Sequence, residues 1–385
     1  MRVLVVDDTI VFRKIISDAL EEIPGVEVVG KAGNGKMALM RIRDLKPDII
    51  TLDIEMPEMN GIEVLEVIKR EQIDVGVIVL SAVTVKGGDM TVKALQLGAF
   101  DFITKPDSGT VAENRIAIID MLSPIISAWD QKNKQKSKQE DKQQDKQETK
   151  QVPAKKDIHV KKTVIGGGSA AYNPTSLDDL GTYIHNIPFI KKPEIVVIGV
   201  STGGPAALGE MLPKISAGIS VPIMIVQHMP PLFTQSLAKS LDAKCKIRVK
   251  EAEEGEKLVP GTAYIAPGGK QMKILATAGG NSHLIRITDD PPENNCKPAV
   301  DYMFRSAVSC FPGKITAVVM TGMGNDGTTG MRLIKRHGGI SIAQDERSCV
   351  VYGMPMEVVK AGAADLVLPL EMISEAIEKS AQRMV

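Results

Sequence analysis

The sequence predicts two α/β domains, each built on a doubly wound parallel sheet, joined by a disordered linker. Three observations carry this. Short apolar runs alternate with amphipathic helical stretches over residues 1–129, and again over residues 194–385. Between them, residues 130–193 lose that alternation, and residues 131–151 contain only Gln, Lys, Glu, Asp, Asn, Ser and Thr. Finally, 385 residues suit two domains that each bury a core of their own.

In the first block, strand-like runs fall at 3–6, 26–29, 48–52, 75–80 and 100–103. Helical stretches lie near 10–20, 35–45, 62–70 and 88–97, with another from about 110. Runs this short and this apolar read as strands covered on both faces, which is the signature of a parallel sheet. The last block repeats the pattern with strands at 195–200, 223–226, 263–266, 315–320 and 341–343. In the middle segment a polar run has too little apolar surface to offset the entropy of ordering, so a Lys/Gln-rich flexible tether is expected. Gly166-Gly167-Gly168 extends that reading, and a short docked helix is expected around residues 176–183.

The formal net charge is zero, from 47 basic and 47 acidic side chains. It hides a division: residues 1–129 carry 14 basic and 20 acidic groups, residues 130–193 carry 13 and 8, and residues 194–385 carry 20 and 19. A near-neutral C-terminal block with few aromatics gives no case for nucleic-acid binding. Apolar runs fall short of the ~20 residues a membrane span needs, and no basic-then-apolar leader opens the chain. Cys245, Cys296, Cys310 and Cys349 are widely spaced, which suggests free thiols in a reducing compartment. A cytoplasmic protein without direct membrane insertion is expected.

Ligands of such sheets gather beyond the carboxyl ends of the strands. In the first block those ends carry Asp7-Asp8, Asp53, Ser81 and Lys105-Pro106. One Asp after a strand is an ordinary turn former, but this ordered set is not explained that way. Converging carboxylates need a cation, and a hard ion such as Mg²⁺ with oxygen ligands suits them. The arrangement fits phosphoryl transfer onto Asp53, with Lys105 stabilising the phosphoryl oxygens. Val6-Asp7-Asp8-Thr9, Leu52-Asp53-Ile54-Glu55-Met56-Pro57, Asn60-Gly61 and Lys105-Pro106 together resemble the response-regulator receiver domain over residues 1 to about 125. The resemblance implies a flavodoxin-like fold and phosphorylation of Asp53 by a histidine kinase. It also implies a Mg²⁺ site of Asp8, Asp53 and the Glu55 backbone carbonyl, with Asp7 nearby and Ser81 and Lys105 as switch residues.

In the second block a strand runs into Gly199-Val200-Ser201-Thr202-Gly203-Gly204-Pro205. A Gly-x-Ser-x-Gly turn presents a serine hydroxyl at a helix start, where backbone N–H groups can meet an oxyanion. Alone, such a loop could equally bind phosphate. Val226-Gln227-His228 and Thr321-Gly322-Met323-Gly324-Asn325-Asp326-Gly327 supply a histidine and an aspartate at two further strand ends. Ser201, His228 and Asp326 can therefore converge as nucleophile, base and orienting acid. His159, His185, His283 and His337 are read as solvated or structural, and Asp301 and Asp345 as weaker orienters. The order Ser, His, Asp differs from that of α/β-hydrolases.

Those three motifs, with Gln227-His228-Met229-Pro230, Pro291-Pro292-Glu293-Asn294-Asn295-Cys296-Lys297-Pro298, Ala343-Gln344-Asp345-Glu346 and Val351-Tyr352-Gly353-Met354-Pro355, look like the catalytic domain of the CheB family. The resemblance covers residues 194 to about 380 and implies a Rossmann-like serine hydrolase. Implied with it are demethylation of glutamate methyl esters and deamidation of glutamines on chemoreceptors, in bacterial-type chemotaxis adaptation. It also implies a Met323 N–H in the oxyanion hole, Thr202 at the border of the site, and no cofactor for the esterase step. Activation by phosphorylation, with the receiver covering the cleft beforehand, follows from the two-domain order. A non-catalytic adaptor, a DNA-binding regulator and a generic peptidase or lipase are the rival readings. The first makes the triad dispensable, the second lacks a basic recognition helix, and the third differs in substrate.

Overall fold

A computed structural model describes residues 1–148, 171–187, 191–277 and 282–382. Gly166–Gly168 and His159 lie outside the described residues. The first half alternates β1 (Arg2–Val6), α1 (Ile10–Glu21), β2 (Glu27–Ala32), α2 (Gly35–Leu45), β3 (Ile49–Asp53), α3 (Gly61–Arg70), β4 (Gly76–Ser81), α4 (Val85–Leu97), β5 (Asp101–Thr104) and α5 (Val111–Glu148). Its strands form one parallel sheet in the order β2-β1-β3-β4-β5. Because the order reverses at β1, the ends of β1 and β3 open a crevice at the sheet's carboxyl edge. β3 and β4 are buried along their whole length, as expected for strands covered by helices on both faces.

α5 does not stop at Trp129 but continues to Glu148. Lys, Gln and Glu are strong helix formers even without an apolar face, and the Lys134–Asp130 ion pair at 2.5 Å spans one turn of the extension. Trp129 itself closes the first core, meeting Phe100 edge-to-face at 5.0 Å. The short helix expected near 176–183 is α6 (Leu177–Asn186), capped by the Ser176 hydroxyl, which accepts the Asp179 N–H at 3.1 Å.

The second half contains β6 (Ile195–Val200), α7 (Gly204–Met211), β7 (Ile223–Gln227), α8 (Phe233–Asp242), β8 (Arg248–Glu251), β9 (Thr262–Ile265), β10 (Gln271–Ala276) and β11 (His283–Thr288). There follow α9 (Val300–Cys310), β12 (Ile315–Val319), α10 (Thr328–Arg336), β13 (Ile340–Gln344), α11 (Met354–Lys360), β14 (Leu366–Leu368) and α12 (Leu370–Gln382). Seven strands form a second parallel sheet, in the order β14-β13-β12-β6-β7-β9-β8. β10 and β11 pair antiparallel as a separate hairpin. β6, β7 and β12 are central neighbours, so their carboxyl ends lie side by side.

The two halves dock. α4 and β5 of the first sheet lie against α8 of the second, with Phe102 and Phe233 rings 4.8 Å apart. An aromatic contact of this kind contributes about 1 kcal/mol beyond its area. Polar contacts surround it: Lys239 reaches Asp89 at 3.2 Å, and Ser240 and Lys244 both donate to the Gln96 side-chain oxygen. On the other side, Met323, Val350 and Val351 pack against the core built from β1, α1 and α5.

Candidate active site and phosphoacceptor site

At the carboxyl edge of the first sheet, one oxygen from each of Asp7, Asp8 and Asp53 falls within 4.8 Å of the others. Asp7 and Asp53 are buried and Asp8 is exposed. Lys105 Nζ, after β5, sits 2.7 Å from Asp53 Oδ2 and 2.8 Å from Asp7 Oδ2. Burial raises the Asp53 carboxyl to about 6, against the opposing pull of Lys105 and with a further push from Asp7. One ammonium does not balance three carboxylates, so the donor set fits a hard divalent cation. Asp53 Oδ1 also accepts the Glu55 N–H at 3.3 Å, while the Glu55 carboxylate faces outward to Lys86. Ser81 does not face this cluster. Its hydroxyl accepts the Thr91 hydroxyl at 2.6 Å and donates to the carbonyls of Ala82 and Gly87, so it is held by α4.

In the second half, Ser201 follows β6 directly. Its N–H donates to the Thr321 carbonyl at 3.0 Å, and its carbonyl accepts the Gly204 N–H and the Gln227 amide. The serine turn and the loop after β12 that packs on it each need a glycine. Gly203 has φ +77°, and a Cβ there would approach Val350 to 2.4 Å; a Cβ on Gly322 would meet the Ser201 Cβ at 2.6 Å. His228 follows β7 and donates its backbone N–H to the Val200 carbonyl at 3.1 Å, which sets the two strand ends together. Ser201 and His228 line one cavity of about 50 Å³. In this docked arrangement no hydrogen bond joins their side chains among the described residues.

Asp326 is buried in the loop after β12 and meets His228 Nε2 at 2.9 Å. Its oxygens also accept the Val300, Asp301 and Gly327 N–H groups at 2.7–3.0 Å and the Asn294 amide at 3.0 Å. Two of those donors open α9, so a helix N-terminus faces the carboxylate. Burial opposes its charge, but His228 and these N–H groups hold Asp326 below the usual carboxylate range. For His228, burial disfavours the imidazolium, yet Asp326 and the neighbouring Cys296 prevail and raise it to about 9.

Asp301 accepts the Gly330 N–H at 2.7 Å and is raised to about 6 chiefly by burial; it supports the α9–α10 contact and does not reach His228. Asp345 is taken up by Ser348. His283 packs against Phe311 with the rings tilted and centroids 4.0 Å apart, and His337 caps its own helix through Leu333. Among the described residues the Met323 N–H has no backbone acceptor. Thr202 donates its hydroxyl to Asp101 of β5 at 2.6 Å, and its carbonyl accepts the Thr321 hydroxyl. Leu95, Asp101 and Phe102 of the first half thus close the cavity over Ser201 and His228. Neither the Asp101–Thr202 bond nor Cys296 beside His228 is foreshadowed in the sequence, because both depend on how distant segments dock.

Residues 196–377 match the family described as CheB methylesterase, and residues 3–116 match the response regulator receiver domain. A Desulfotalea psychrophila protein named protein-glutamate methylesterase/protein-glutamine glutaminase is 52% identical over 377 residues, covering 98% of this chain and 97% of its own. One of the same name from Trichodesmium erythraeum is 40% identical with the same coverage. The solved Thermotoga maritima CheB methylesterase catalytic domain is 43% identical, covers 49% of this chain and 99% of its own, and has a TM-score of 0.47. Among the described residues no helix is long and apolar enough to cross a membrane.

Proposed function

This chain belongs to the CheB methylesterase family, and we propose that it is a cytoplasmic, phosphorylation-activated hydrolase of glutamate methyl esters, and a deamidase of glutamines, on chemoreceptor helices. Its units are a receiver (1–129), a tether (130–193) and a catalytic domain (194–385). The observation that carries the chemistry is the Asp326–His228 pair beside Ser201 at three adjacent strand ends.

Asp326 holds Nε2, so Nδ1, which faces the Cys296 sulfur, is the nitrogen left to take the Ser201 proton. Ser201 Oγ attacks the γ-carbonyl, and the oxyanion forms against the Met323 N–H, with Thr202 bordering the site. His228 returns the proton to the departing methoxide, which leaves as methanol, or to the departing amine, which leaves as ammonia. Water then enters by the same base and hydrolyses the acyl-enzyme. Loss of one oxyanion donor costs about 3 kcal/mol of transition-state stabilisation.

The docked arrangement is the resting state. A cavity of about 50 Å³ holds little more than one or two waters, not a receptor side chain. An imidazole raised to about 9 also keeps its proton at neutral pH and cannot accept another. Asp8, Asp53 and the Glu55 carbonyl, with Asp7 nearby, would hold Mg²⁺, which neutralises charge on the phosphoryl oxygens. A histidine kinase supplies the phosphoryl group to Asp53. Ser81, now bonded to Thr91 and Gly87 of α4, can turn to the new phosphoryl oxygens while Lys105 pairs with them. That exchange disturbs the helix that docks on α8 and shifts the population toward an open form.

The test is methanol release from methylated receptor, with and without Mg²⁺ and a small phosphodonor. Release should rise with phosphodonor and vanish in Ser201→Ala; persistence of wild-type turnover in that variant overturns the nucleophile.

A further inference from the structure

Cys296 stands outside the Ser201, His228 and Asp326 set, yet its sulfur lies 3.6 Å from His228 Nδ1. Nε2 is already engaged by Asp326, so the thiol faces the one ring nitrogen left to accept or ligate. Tetrahedral zinc, with Zn–S near 2.3 Å and Zn–N near 2.0 Å, holds its sulfur and nitrogen ligands roughly 3.5 Å apart. The pair is already at that spacing. The Cys296 backbone is also fixed in place: its N–H donates to the Glu293 carbonyl at 2.8 Å, and its carbonyl accepts the Glu293 N–H at 3.1 Å and the Gln271 amide at 3.3 Å.

Asp326 completes the pattern. One potential ligand atom from each of His228, Cys296 and Asp326 lies within 4.8 Å of the others. A carboxylate on the far nitrogen is the partner that orients a metal-bound imidazole and raises its basicity. This differs in kind from the aspartate cluster of the receiver, where only oxygen is offered and a hard ion is preferred.

We propose that His228 Nδ1 and Cys296 Sγ form a binding site for a thiophilic divalent cation, Zn²⁺ by chemical class, whose occupation switches the esterase off. The thiol releases its proton and the thiolate binds the ion. The His228 imidazolium releases its Nδ1 proton to solvent, the freed lone pair binds the ion too, and water completes the shell. Nδ1 then cannot accept the Ser201 proton. The inhibition rests on His228 acting as base, whereas the binding does not, so the two are read separately.

The full chain, saturated with Mg²⁺, is titrated with Co²⁺ as a spectroscopic probe and, separately, with Zn²⁺ during methanol release. A thiolate-to-cobalt charge-transfer band should appear and be lost in Cys296→Ser and Cys296→Ala. Zn²⁺ should inhibit release reversibly to a chelator, with the midpoint moved up about tenfold or more in both variants, each compared with its own metal-free rate. The same band or midpoint in both variants assigns the metal to Cys245, Cys310 or Cys349 and overturns the site, as does no band in the parent chain. A Cys296-dependent band without inhibition supports the site and removes His228 as the base. A Cys296-dependent band in a chain that releases no methanol even without Zn²⁺ supports the site while refuting the esterase reading.

Discussion

Asp326 is the most constrained side chain of the site, since five donors converge on its two oxygens. Asp326→Asn presents an NH₂ to groups that themselves donate, so it costs stability of about 1–3 kcal/mol as well as the charge that orients His228. Its kcat should fall by about 10³-fold or more, far beyond what denaturant melts assign to the unfolded fraction. A fall matched by the unfolded fraction would reduce Asp326 to a structural role. His228 gives a second residue-level expectation. Its pKa is raised from 6.5 to about 9, so the folded chain holds a proton there that the unfolded chain releases. The resulting stabilisation is full below pH 6.5 and is lost as pH climbs through about 9. Thermal melts across that window should show a steeper loss of Tm in the parent chain than in His228→Gln, and parallel losses would refute it. Both positions were legible in the sequence because each follows a buried strand, His228 directly and Asp326 within a Gly-rich loop, which places the side chain at the sheet edge. Ser81 was legible by position alone; the partner its hydroxyl chooses is set by α4 packing.

Among elements, the core strands were read to within a residue or two at most of their ends, because buried parallel strands are continuous apolar runs. The strands outside that core set break the rule. β8 is Arg-Val-Lys-Glu on a sheet edge, β14 has three residues, and β10 and β11 mix polar and apolar residues in a two-stranded ribbon. The continuation of α5 was missed for the opposite reason: without an apolar stripe, helix propensity is invisible to a reading based on burial. A receiver over the cleft was expected, but the contacts that dock it were not legible, since nothing in the sequence marks Phe102 and Phe233 as partners. α4 is where that docking can be tested. Gly88 faces α8, and a Cβ there would approach the Ser236 hydroxyl to 2.8 Å. Gly88→Leu also favours the helix itself by up to about 1 kcal/mol, so the receiver should fold normally while its docked face is wedged away. Methanol release without phosphodonor should rise several-fold and the further gain on phosphorylation should shrink. Unchanged basal release would show that this contact does not hold the resting state.

For the whole molecule, the proposed balance between docked and open forms carries a pH dependence from one partly buried carboxyl at the junction. Asp101 starts β5 and is partly buried at the domain junction, where it accepts the Thr202 hydroxyl and its neighbour's N–H. No basic side chain is paired with it among the described residues, and His228, across the same cavity, is already paired with Asp326. Burial raises Asp101 from 3.8 to about 6. Opening exposes it to water and returns it to the ordinary range, so the docked form binds the extra proton. Docking is therefore undiminished below pH 3.8, weakens progressively above it, and reaches its full penalty once pH has passed about 6. By linkage the whole shift corresponds to a change in the docking equilibrium of up to about 100-fold. Asp101→Asn cannot ionise, and its side-chain oxygen can still accept the Thr202 hydroxyl. Above pH 6 the variant should thus be more tightly closed than the parent, with lower methanol release before phosphorylation and a larger gain after it. The pH dependence of the ratio between parent and variant isolates this group, because every other titration, including that of His228, is common to both. A ratio that stays flat across pH would mean that Asp101 keeps its ordinary pKa and that the junction over Ser201 is open to water.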